Sequence, residues 1–188
     1  MEDVFQALMK DLRTRMEKTL SKVQEELKAI RTGRASIHLF DHIRVDYYGT
    51  PTPIPQVATI RIPEPNLVVI HPWEPRLLAA IEKAILTSDL GLSPVNDGKV
   101  VRIPIPPLTE ERRREFAKQV WKVAEEGKTA IRMIRRDGNE HIRAMERDKK
   151  CSEDDARRAR DQVQKLTDEY IQKIDQLAKA KEREILET

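Results

Sequence analysis

The few side chains that could act as nucleophiles or metal ligands are scattered through this chain of 188 residues. Cys151, the single cysteine, lies one residue before a predicted helix start, where a helix N-terminus can lower a thiol pKa. No base is placed to activate it, so an incidental surface thiol is the favoured interpretation. His38 and His42 lie four residues apart in a predicted turn-and-strand region without a third ligand. The sequence therefore predicts no catalytic residue, no metal site, no cofactor and no small-molecule substrate.

Arginine side chains form the clearest chemical pattern, along one side of a helix predicted within residues 109–150. This segment holds 13 basic and 9 acidic residues, whereas residues 35–104 hold 6 basic and 7 acidic ones. At 100° per residue, a sector of about 60° opposite the apolar stripe holds ten residues, seven of them basic. The ten are Glu111, Arg114, Lys118, Glu125, Thr129, Arg132, Arg136, Arg143, Arg147 and Lys150. Arg135 lies beside this sector.

Such a line of guanidinium groups suits phosphate, because the planar fork binds two phosphate oxygens at once and is weakly hydrated. The pattern therefore predicts nucleic-acid binding. A solvated face whose arginines pair with neighbouring carboxylates would give the same pattern, so both interpretations stay open at this point. Aromatic residues make up only 4% of the chain, which argues against a surface that stacks single-stranded bases.

The overall composition favours long solvated helices over a large aromatic core, because charged residues make up 36% of the chain. No apolar run reaches the roughly 18 residues that a membrane span needs. Residues 1–15 lack the apolar core of a signal peptide, and a single cysteine is consistent with a reducing compartment. We therefore expect a cytoplasmic protein that is not bound to a membrane.

Three amphipathic helices are predicted to flank a middle segment. All 11 prolines lie between Pro51 and Pro107, so both ends of the chain are free to be helical. The first helix is predicted to end near residues 32–33, the second to begin after Thr109 and the third after Ser152. Apolar residues recur about every 3.6 residues in each helix, which gives each helix one apolar stripe. Long helices with a narrow apolar stripe are not stable alone in water, so we predict that the three pack together as a bundle. The stripes are Phe5, Leu8, Leu12, Met16, Leu20, Val23, Leu27 and Ile30; then Phe116, Val120, Val123, Ala130, Ile131, Ile134, His141, Ile142 and Met145; then Val163, Leu166, Tyr170, Ile174, Leu177 and Ile185.

The middle segment is predicted to be a small β/α module. Strands are predicted at residues 43–47, 57–62, 67–70 and 100–105, with turns at 49–53 and 96–98 and a helix at 76–88. The predicted fold class is therefore α+β: an elongated antiparallel three-helix bundle of residues 1–33 and 106–188, with a β/α domain of residues 34–105 inserted into it. Two short connections would form the hinge. Its candidate residues are Thr32, Gly33, Arg34, Pro104, Pro106 and Pro107.

Eight strings spread over essentially the whole chain, in one register, resemble the bacterial ribosome recycling factor family. They are residues 31–36 (RTGRAS), 45–53 (VDYYGTPTP), 81–85 (IEKAI), 88–92 (SDLGL), 106–113 (PPLTEERR), 134–137 (IRRD), 152–155 (SEDD) and 164–168 (QKLTD). The resemblance implies an L-shaped protein of two domains. It also implies a non-enzymatic translation factor that separates the subunits of post-termination ribosomes together with elongation factor G and GTP.

The resemblance further implies partners and contact residues. The bundle is expected to lie across the A and P sites of the large subunit as a monomer, and elongation factor G is expected to push the inserted domain about the hinge. Arg132 and Arg135 match the family's bundle arginines that contact ribosomal RNA, and Arg31 is a further candidate near the hinge. Together with the basic sector, the candidate RNA-binding residues are Arg132, Arg135, Arg136, Arg31, Arg114, Lys118, Arg143 and Arg147.

The chain departs from the family pattern at Met133, where asparagine is frequent, and at Gly138, where alanine is frequent. Gly127 and Gly138 each cost roughly 1 kcal/mol relative to alanine inside a helix, and both project onto the apolar stripe. We predict that they allow a neighbouring helix to approach closely, with sequence drift as the alternative. The alternative function is a helical scaffold or tether that binds protein partners through its bundle.

Overall fold

The computed structural model describes residues 4–187 and has four α-helices and six strands within them. In chain order they are α1 (Gln6–Lys28), β1 (Arg44–Tyr47), β2 (Thr50–Pro53), β3 (Ala58–Glu64), β4 (Leu67–Pro72), α2 (Leu78–Leu86), β5 (Val95–Asn96), β6 (Val101–Pro104), α3 (Glu110–Arg147) and α4 (Glu153–Glu187). The chain forms two compact units, described in turn below. The first unit is Met1–Leu27 with Gln119–Lys181, and the second is Lys28–Lys118 with Glu182–Thr188.

The first unit is a bundle of α1, α3 and α4 around an apolar core. Val23 lies against Gly127 while Leu12 lies against Gly138, so α1 runs antiparallel to α3. Ion pairs join residue 128 to residue 175 and residue 146 to residue 160, so α3 is antiparallel to α4 as well. The predicted stripes within this unit form its core, except that Leu8, Val123, Ala130, Met145 and Leu177 are half-buried and His141 is exposed. The stripe residues Ile30, Phe116 and Ile185 are also buried, but they belong to the second unit.

Side-chain caps set the starts of the two long helices where the sequence predicts them. The Thr109 hydroxyl accepts a hydrogen bond from the backbone N–H of Arg112 at 3.2 Å. The Ser152 hydroxyl accepts one from the N–H of Asp155 at 3.0 Å. Each hydroxyl satisfies an N–H that has no partner within the helix, as N-caps do. The predicted end of α1 is too late, because the helix stops at Lys28.

The second unit contains a four-stranded antiparallel sheet in the order β3-β4-β6-β5, with α2 on one face. Alternate residues of the central strands, such as Ile70 and Ile103, are fully buried, and they form one core with Ile81 and Ile85 of α2. The two-residue strand β5 was not predicted. The helix predicted at residues 76–88 is shorter in the structure, where α2 spans Leu78–Leu86. Its predicted first residues lie in a turn of 3₁₀-helix at Pro75–Leu77.

A separate two-stranded hairpin of β1 and β2 corrects the predicted turn at residues 49–53. The turn lies at Tyr48 and Gly49, which have φ values of 51° and 81°. This positive-φ pair matches the twist of a tight hairpin. The following residues, Thr50–Pro53, pair with β1 as a strand. Two prolines are tolerated in β2 because an edge strand can leave their missing N–H positions unpaired.

The boundaries of the compact units differ from the predicted domain boundaries at residues 33/34 and 105/106. The first turns of α3 and the last residues of α4 group with the sheet. One reason is the close packing of Arg112 on the loop after α2, since a Cβ added to Gly91 would lie 2.8 Å from the Arg112 guanidinium. Among the described residues, no helix is long and apolar enough to cross a membrane.

Candidate nucleic-acid interface

The side of α3 that faces away from the bundle core presents a row of arginines. Ile131, Ile134 and Ile142 are buried on the core side. Arg132, Arg136 and Arg143 are exposed and Arg135 is half-buried. We call these four the arginine face. Because the helix repeats every 3.6 residues, Arg136 and Arg143 lie about one turn and three turns after Arg132 on the same helix. Their spacing therefore does not depend on the conformation of a loop.

Within residues 4–187, no carboxylate lies within 4 Å of a basic nitrogen of the arginine face. Other arginines of the same unit do have such partners. Arg15 pairs with Asp137 at 2.7 Å, and Arg160 pairs with Glu146 at 3.1 Å. A merely solvated, salt-bridged face would have carboxylates of this kind beside its arginines. The arginine face instead carries positive charge without local compensation, which is the arrangement that attracts phosphate.

The remaining basic candidates on α3 differ from the arginine face. Arg147 is exposed at the end of the helix and lies 3.5 Å from Asp148. In the second unit, Arg114 pairs with Glu110 at 2.7 Å, and Lys118 is exposed. The Arg147–Asp148 and Arg114–Glu110 ion pairs are both highly exposed. An exposed ion pair contributes little to stability, so a phosphate could displace the carboxylate at small cost.

Lys128 precedes Arg132 by one helical turn but does not belong to this face. Its side chain is 11% exposed and its ammonium donates to Asp175 of α4 at 2.6 Å, with Glu125 at 2.9 Å. The hydrogen bond to Asp175 is the largest of the causes that raise the pKa of Lys128. The group is a structural link between α3 and α4, and its partner on α4 could not be identified from local sequence spacing.

Arg31 must be corrected as an RNA-binding candidate, because the residue is only 3% exposed. Its guanidinium donates a hydrogen bond to the backbone carbonyl of Pro106, which joins the two chain segments that connect the sheet to the helices. Burial, and then the charge of Arg112, lower the pKa of Arg31. A buried guanidinium that holds a backbone carbonyl cannot also bind a phosphate in this conformation.

The two connecting segments contain most of the predicted hinge residues. Residues 31–36 and 105–109 have no helix or strand structure. Their sheet-side ends are both tied to the β3–β4 turn, where Ala35 N–H donates to Pro65 at 2.8 Å and Ile105 N–H donates to Asn66 at 2.7 Å. Residues 32–34, with Pro106 and Pro107, lie on the helix side of these anchors. Pro104 does not, since it is paired within β6.

Two glycines of α3 set the contact that orients the arginine face. A Cβ at Gly127 would lie 2.5 Å from Cγ2 of Val23, and one at Gly138 would lie 2.6 Å from Cδ1 of Leu12. Both distances are shorter than carbon atoms tolerate. The predicted close approach is therefore confirmed: α1 packs directly on the α3 backbone at these two positions. Met133, next to Arg132, is 58% exposed and does not contribute to the core.

Neither the thiol nor the histidines assemble a reactive group. Burial, and then the carboxylates of Asp155 and Glu146, raise the pKa of Cys151, which agrees with the interpretation of an incidental thiol rather than a nucleophile. The His38 ring lies 3.0 Å from a carboxylate oxygen of Asp41. No group of three or more His, Cys, Asp or Glu side chains in the described part of the chain could hold a metal ion.

Sequence reasoning missed a second polar and aromatic region, in the sheet unit. Trp73 and Tyr48 are 64% and 73% exposed. Tyr47 donates to Glu74 at 2.9 Å, and Arg76 donates to the same carboxylate at 2.7 Å while lying 4.1 Å from the Tyr48 ring centroid. The alternation of side chains along β4 could have revealed this region from the sequence. It places Trp73 on the face opposite to the buried Val68 and Ile70.

Comparison with known proteins gives one family. The family model described as Ribosome recycling factor matches residues 23–186. The ribosome-recycling factor of Nitratidesulfovibrio vulgaris is 52% identical over 183 residues, covering 97% of this chain and 98% of that protein. That of Symbiobacterium thermophilum is 53% identical over 180 residues, covering 96% and 97%.

Two solved structures are similar over nearly their whole length. A solution structure of a ribosome recycling factor has 41% identity and a TM-score of 0.76, covering 100% of both chains. The second has 45% identity and a TM-score of 0.68, covering 97% of this chain and 98% of the other. It belongs to models of the T. thermophilus ribosome recycling factor and E. coli elongation factor G bound to the E. coli post-termination complex.

Proposed function

The chain belongs to the ribosome recycling factor family, and from this premise we propose that its arginine face binds the RNA of the large ribosomal subunit. The protein is a non-enzymatic translation factor that acts with elongation factor G and GTP to dissociate post-termination ribosomes. Family membership replaces the alternative of a general helical scaffold.

The observation that carries the RNA-binding proposal is the absence, among residues 4–187, of carboxylates beside the four arginines of the face. Each guanidinium is free to take two phosphate oxygens without first breaking an ion pair. If each of the four releases one counterion, the slope of log affinity against log salt is about −3 to −4. Arg147 and Arg114 are further RNA-binding candidates, whose exposed ion pairs RNA would displace, and Lys118 is an exposed candidate.

We further propose that the chain acts as a monomer and that its bundle lies across the A and P sites. The support is its similarity to a recycling factor that is bound, together with elongation factor G, to a post-termination complex. This proposal makes elongation factor G the protein partner and assigns the arginine face to the ribosome rather than to that factor.

We propose that the segments 32–34 and 106–107 act as the hinge of the recycling step. The inserted residues 34–105 would turn about these segments when elongation factor G pushes on them. The backbone bonds at Ala35 and Ile105 support this assignment, because they tie both chain crossings to the β3–β4 turn and leave the residues beyond them as the pivots. The Arg31–Pro106 hydrogen bond would then act as a clamp between the two pivots.

Arginine-to-alanine variants test the RNA-binding proposal. We expect Arg132→Ala and Arg135→Ala each to weaken binding to large subunits by about tenfold, the equivalent of one charge-assisted hydrogen bond of about 1.4 kcal/mol. The affinity of each variant should also depend less steeply on salt, because one phosphate contact is lost. Co-sedimentation with large subunits at several salt concentrations measures this slope. Thermal unfolding should be nearly unchanged, because neither side chain has a carboxylate partner within the described chain.

Arg158→Ala is the matched control, because Arg158 is a highly exposed arginine on α4 that lies 3.6 Å from Asp155. Its removal should leave the affinity within about twofold of the unmodified protein. An equal loss for all three variants would mean that net charge, and not the arginine face, governs ribosome binding. A large drop in melting temperature for Arg132→Ala would assign that residue a structural role instead.

A further inference from the structure

The four-stranded sheet of the second unit has one face that packs on α2 and one that is open to solvent. Strand register places the residues of the open face. Val69 of β4 is paired with Arg61 of β3 on one side and with Arg102 of β6 on the other, and Arg102 is paired with Val95 of β5. Residues paired directly across strands point to the same face. Arg61, Arg102 and Val95 are exposed, which confirms that this face is uncovered.

Trp73 is fixed on the same face, just past the end of β4. Its indole N–H donates to the hydroxyl of Thr59 at 3.1 Å, and its backbone N–H donates to the carbonyl of Val57 at 3.1 Å. Thr59 is paired with His71, two residues from Val69, and so belongs to the open face. The ring is therefore held by its edge while 64% of the residue stays exposed. An immobilised, exposed ring loses little conformational entropy when a second planar group stacks on it.

The charges on the open face are arranged for phosphate. Arg61 lies within 4 Å of no carboxylate in residues 4–187 and sits between Trp73 and the far end of the sheet. Arg102 donates to Asp97 at 3.3 Å, but that carboxylate also accepts the N–H groups of Lys99 and Val100. These hydrogen bonds lower the pKa of Asp97 and engage it in the β5–β6 turn.

The acidic residue Glu64 lies at the opposite end of the face from Trp73, because it pairs with Leu67 beyond a bulge in β3. The half of the face nearest Trp73 thus holds Arg61 and the exposed His71 and no acidic side chain from β3 or β4. A protein-binding hot spot has a dry apolar centre, whereas the strand register places the polar residues Thr59, Arg61 and His71 on the same face as Trp73. An antiparallel sheet with a stacking ring and flanking cations is a common way to bind unpaired RNA.

We propose that this open face is a second RNA-binding surface, on which Trp73 stacks against an unpaired base and Arg61 and Arg102 hold the adjoining phosphates. Its occupant is an unpaired segment of ribosomal RNA, a choice that rests on the proposed function. The surface is separate from the arginine face and lies in the other unit. The low aromatic content had argued against a stacking surface, but one well-anchored ring is enough to stack one base.

Binding of a short RNA tests the chemistry without the ribosome. In a Trp121→Phe background, Trp73 is the single tryptophan, and a single-stranded hexanucleotide RNA should quench its fluorescence in a saturable manner. Two phosphate contacts to a single strand give a log–log salt slope of about −1.4. The affinity of labelled RNA, measured by fluorescence polarisation in an Arg132→Ala, Arg135→Ala background that weakens the arginine face, should fall about tenfold for Trp73→Leu and for Arg61→Gln. If Trp121→Phe does not fold, this polarisation measurement alone decides the question.

Leu86→Ala is the matched control, since Leu86 is 62% exposed on α2 in the same unit, and its RNA affinity should not change. Absence of saturable binding, equal binding of duplex RNA, or an equal loss for Leu86→Ala would overturn the proposal.

The ribosome identifies the occupant. A photo-crosslinking amino acid in place of Trp73 should attach to ribosomal RNA in a post-termination complex. Cross-links only to a ribosomal protein or to elongation factor G would make this face a protein-docking surface. Cross-links only to messenger RNA would mean that the bound RNA is not ribosomal. Either result overturns the proposal. Arg132→Ala should reduce these cross-links in line with its weaker ribosome binding, yet leave the quenching of Trp73 by the hexanucleotide unchanged. Failure of the arginine-face proposal is thereby distinguished from failure of this one.

Discussion

Gly127→Ala is expected to destabilise the bundle even though alanine is the better helix former. In the interior of α3 the substitution would by itself gain about 1 kcal/mol from helix propensity. The new Cβ would lie 2.5 Å from Cγ2 of Val23 and 3.4 Å from Cδ1 of Ile174. Normal carbon contacts are about 3.5–4.0 Å, so the first is about 1 Å too short.

The neighbouring side chain cannot relieve this overlap easily. Val23 is 3% exposed and, being β-branched in a helix, has one strongly preferred rotamer. Relief therefore requires α1 and α3 to move apart, and overpacking of this kind costs about 1–3 kcal/mol. Subtracting the gain in helix propensity leaves a net destabilisation of about 1 kcal/mol.

Gly138→Ala is the matched comparison on the same helix. Its Cβ would lie 2.6 Å from Cδ1 and 3.3 Å from Cδ2 of Leu12, but both methyl groups are at the end of a side chain with two rotatable bonds. We expect Leu12 to rotate away, so that the loss from packing and the gain in propensity nearly cancel. The two variants should then differ by about 1 kcal/mol in the free energy of unfolding, with Gly127→Ala the less stable.

Urea unfolding followed by circular dichroism measures this difference from the transition midpoints at constant slope. The double variant Gly127→Ala with Val23→Ala completes the cycle, because removing the valine methyl groups removes the overlap. A favourable coupling of about 1 kcal/mol is expected for two residues in direct contact. If Gly127→Ala proves as stable as Gly138→Ala, and the coupling is zero, the packing of α1 on the α3 backbone is not what requires glycine.

Two further predictions concern the second unit. Arg31→Met should leave affinity for the large subunit within about twofold, because Arg31 is buried. Amide hydrogen exchange at Ile105, Leu108 and Thr109, the residues of this segment that have an N–H, should become faster because the link to the Pro106 carbonyl is lost. Glu74→Gln should lower the melting temperature by more at pH 7 than at pH 3. The hydrogen bonds from Tyr47 and then Arg76 lower the pKa of Glu74, so its stabilisation is present above the unfolded-state pKa and disappears as the pH falls through the folded-state pKa.

Each of these has a control. For Arg31→Met, exchange in the middle of α4 should be unchanged, and a tenfold loss of ribosome affinity would restore Arg31 as an RNA ligand. For Glu74→Gln, the unmodified protein measured at the same two pH values is the reference. A Glu74→Gln difference that persists undiminished at pH 3 would mean that the carboxylate charge is not the stabilising feature.

Local signals in the sequence were sufficient for most of the secondary structure. The start of α4 could be predicted because a cap acts through atoms within one turn, as the Ser152–Asp155 hydrogen bond does. The apolar stripes could be predicted because the helical period is a property of the backbone. The strand β2 was missed because proline is read as a turn former, and only its pairing with β1 makes it a strand.

The candidate site divides in the same way. The sequence by itself determined that Arg132, Arg136 and Arg143 share one side of α3, because that follows from their spacing. Only the tertiary structure decided that they have no carboxylate partners among the described residues and that Arg31 is buried, because both depend on residues far along the chain. The partner of Arg31, Pro106, is 75 residues away. Spacing along one element fixes where a charge points, whereas its burial and pairing are set by the other elements that pack around it.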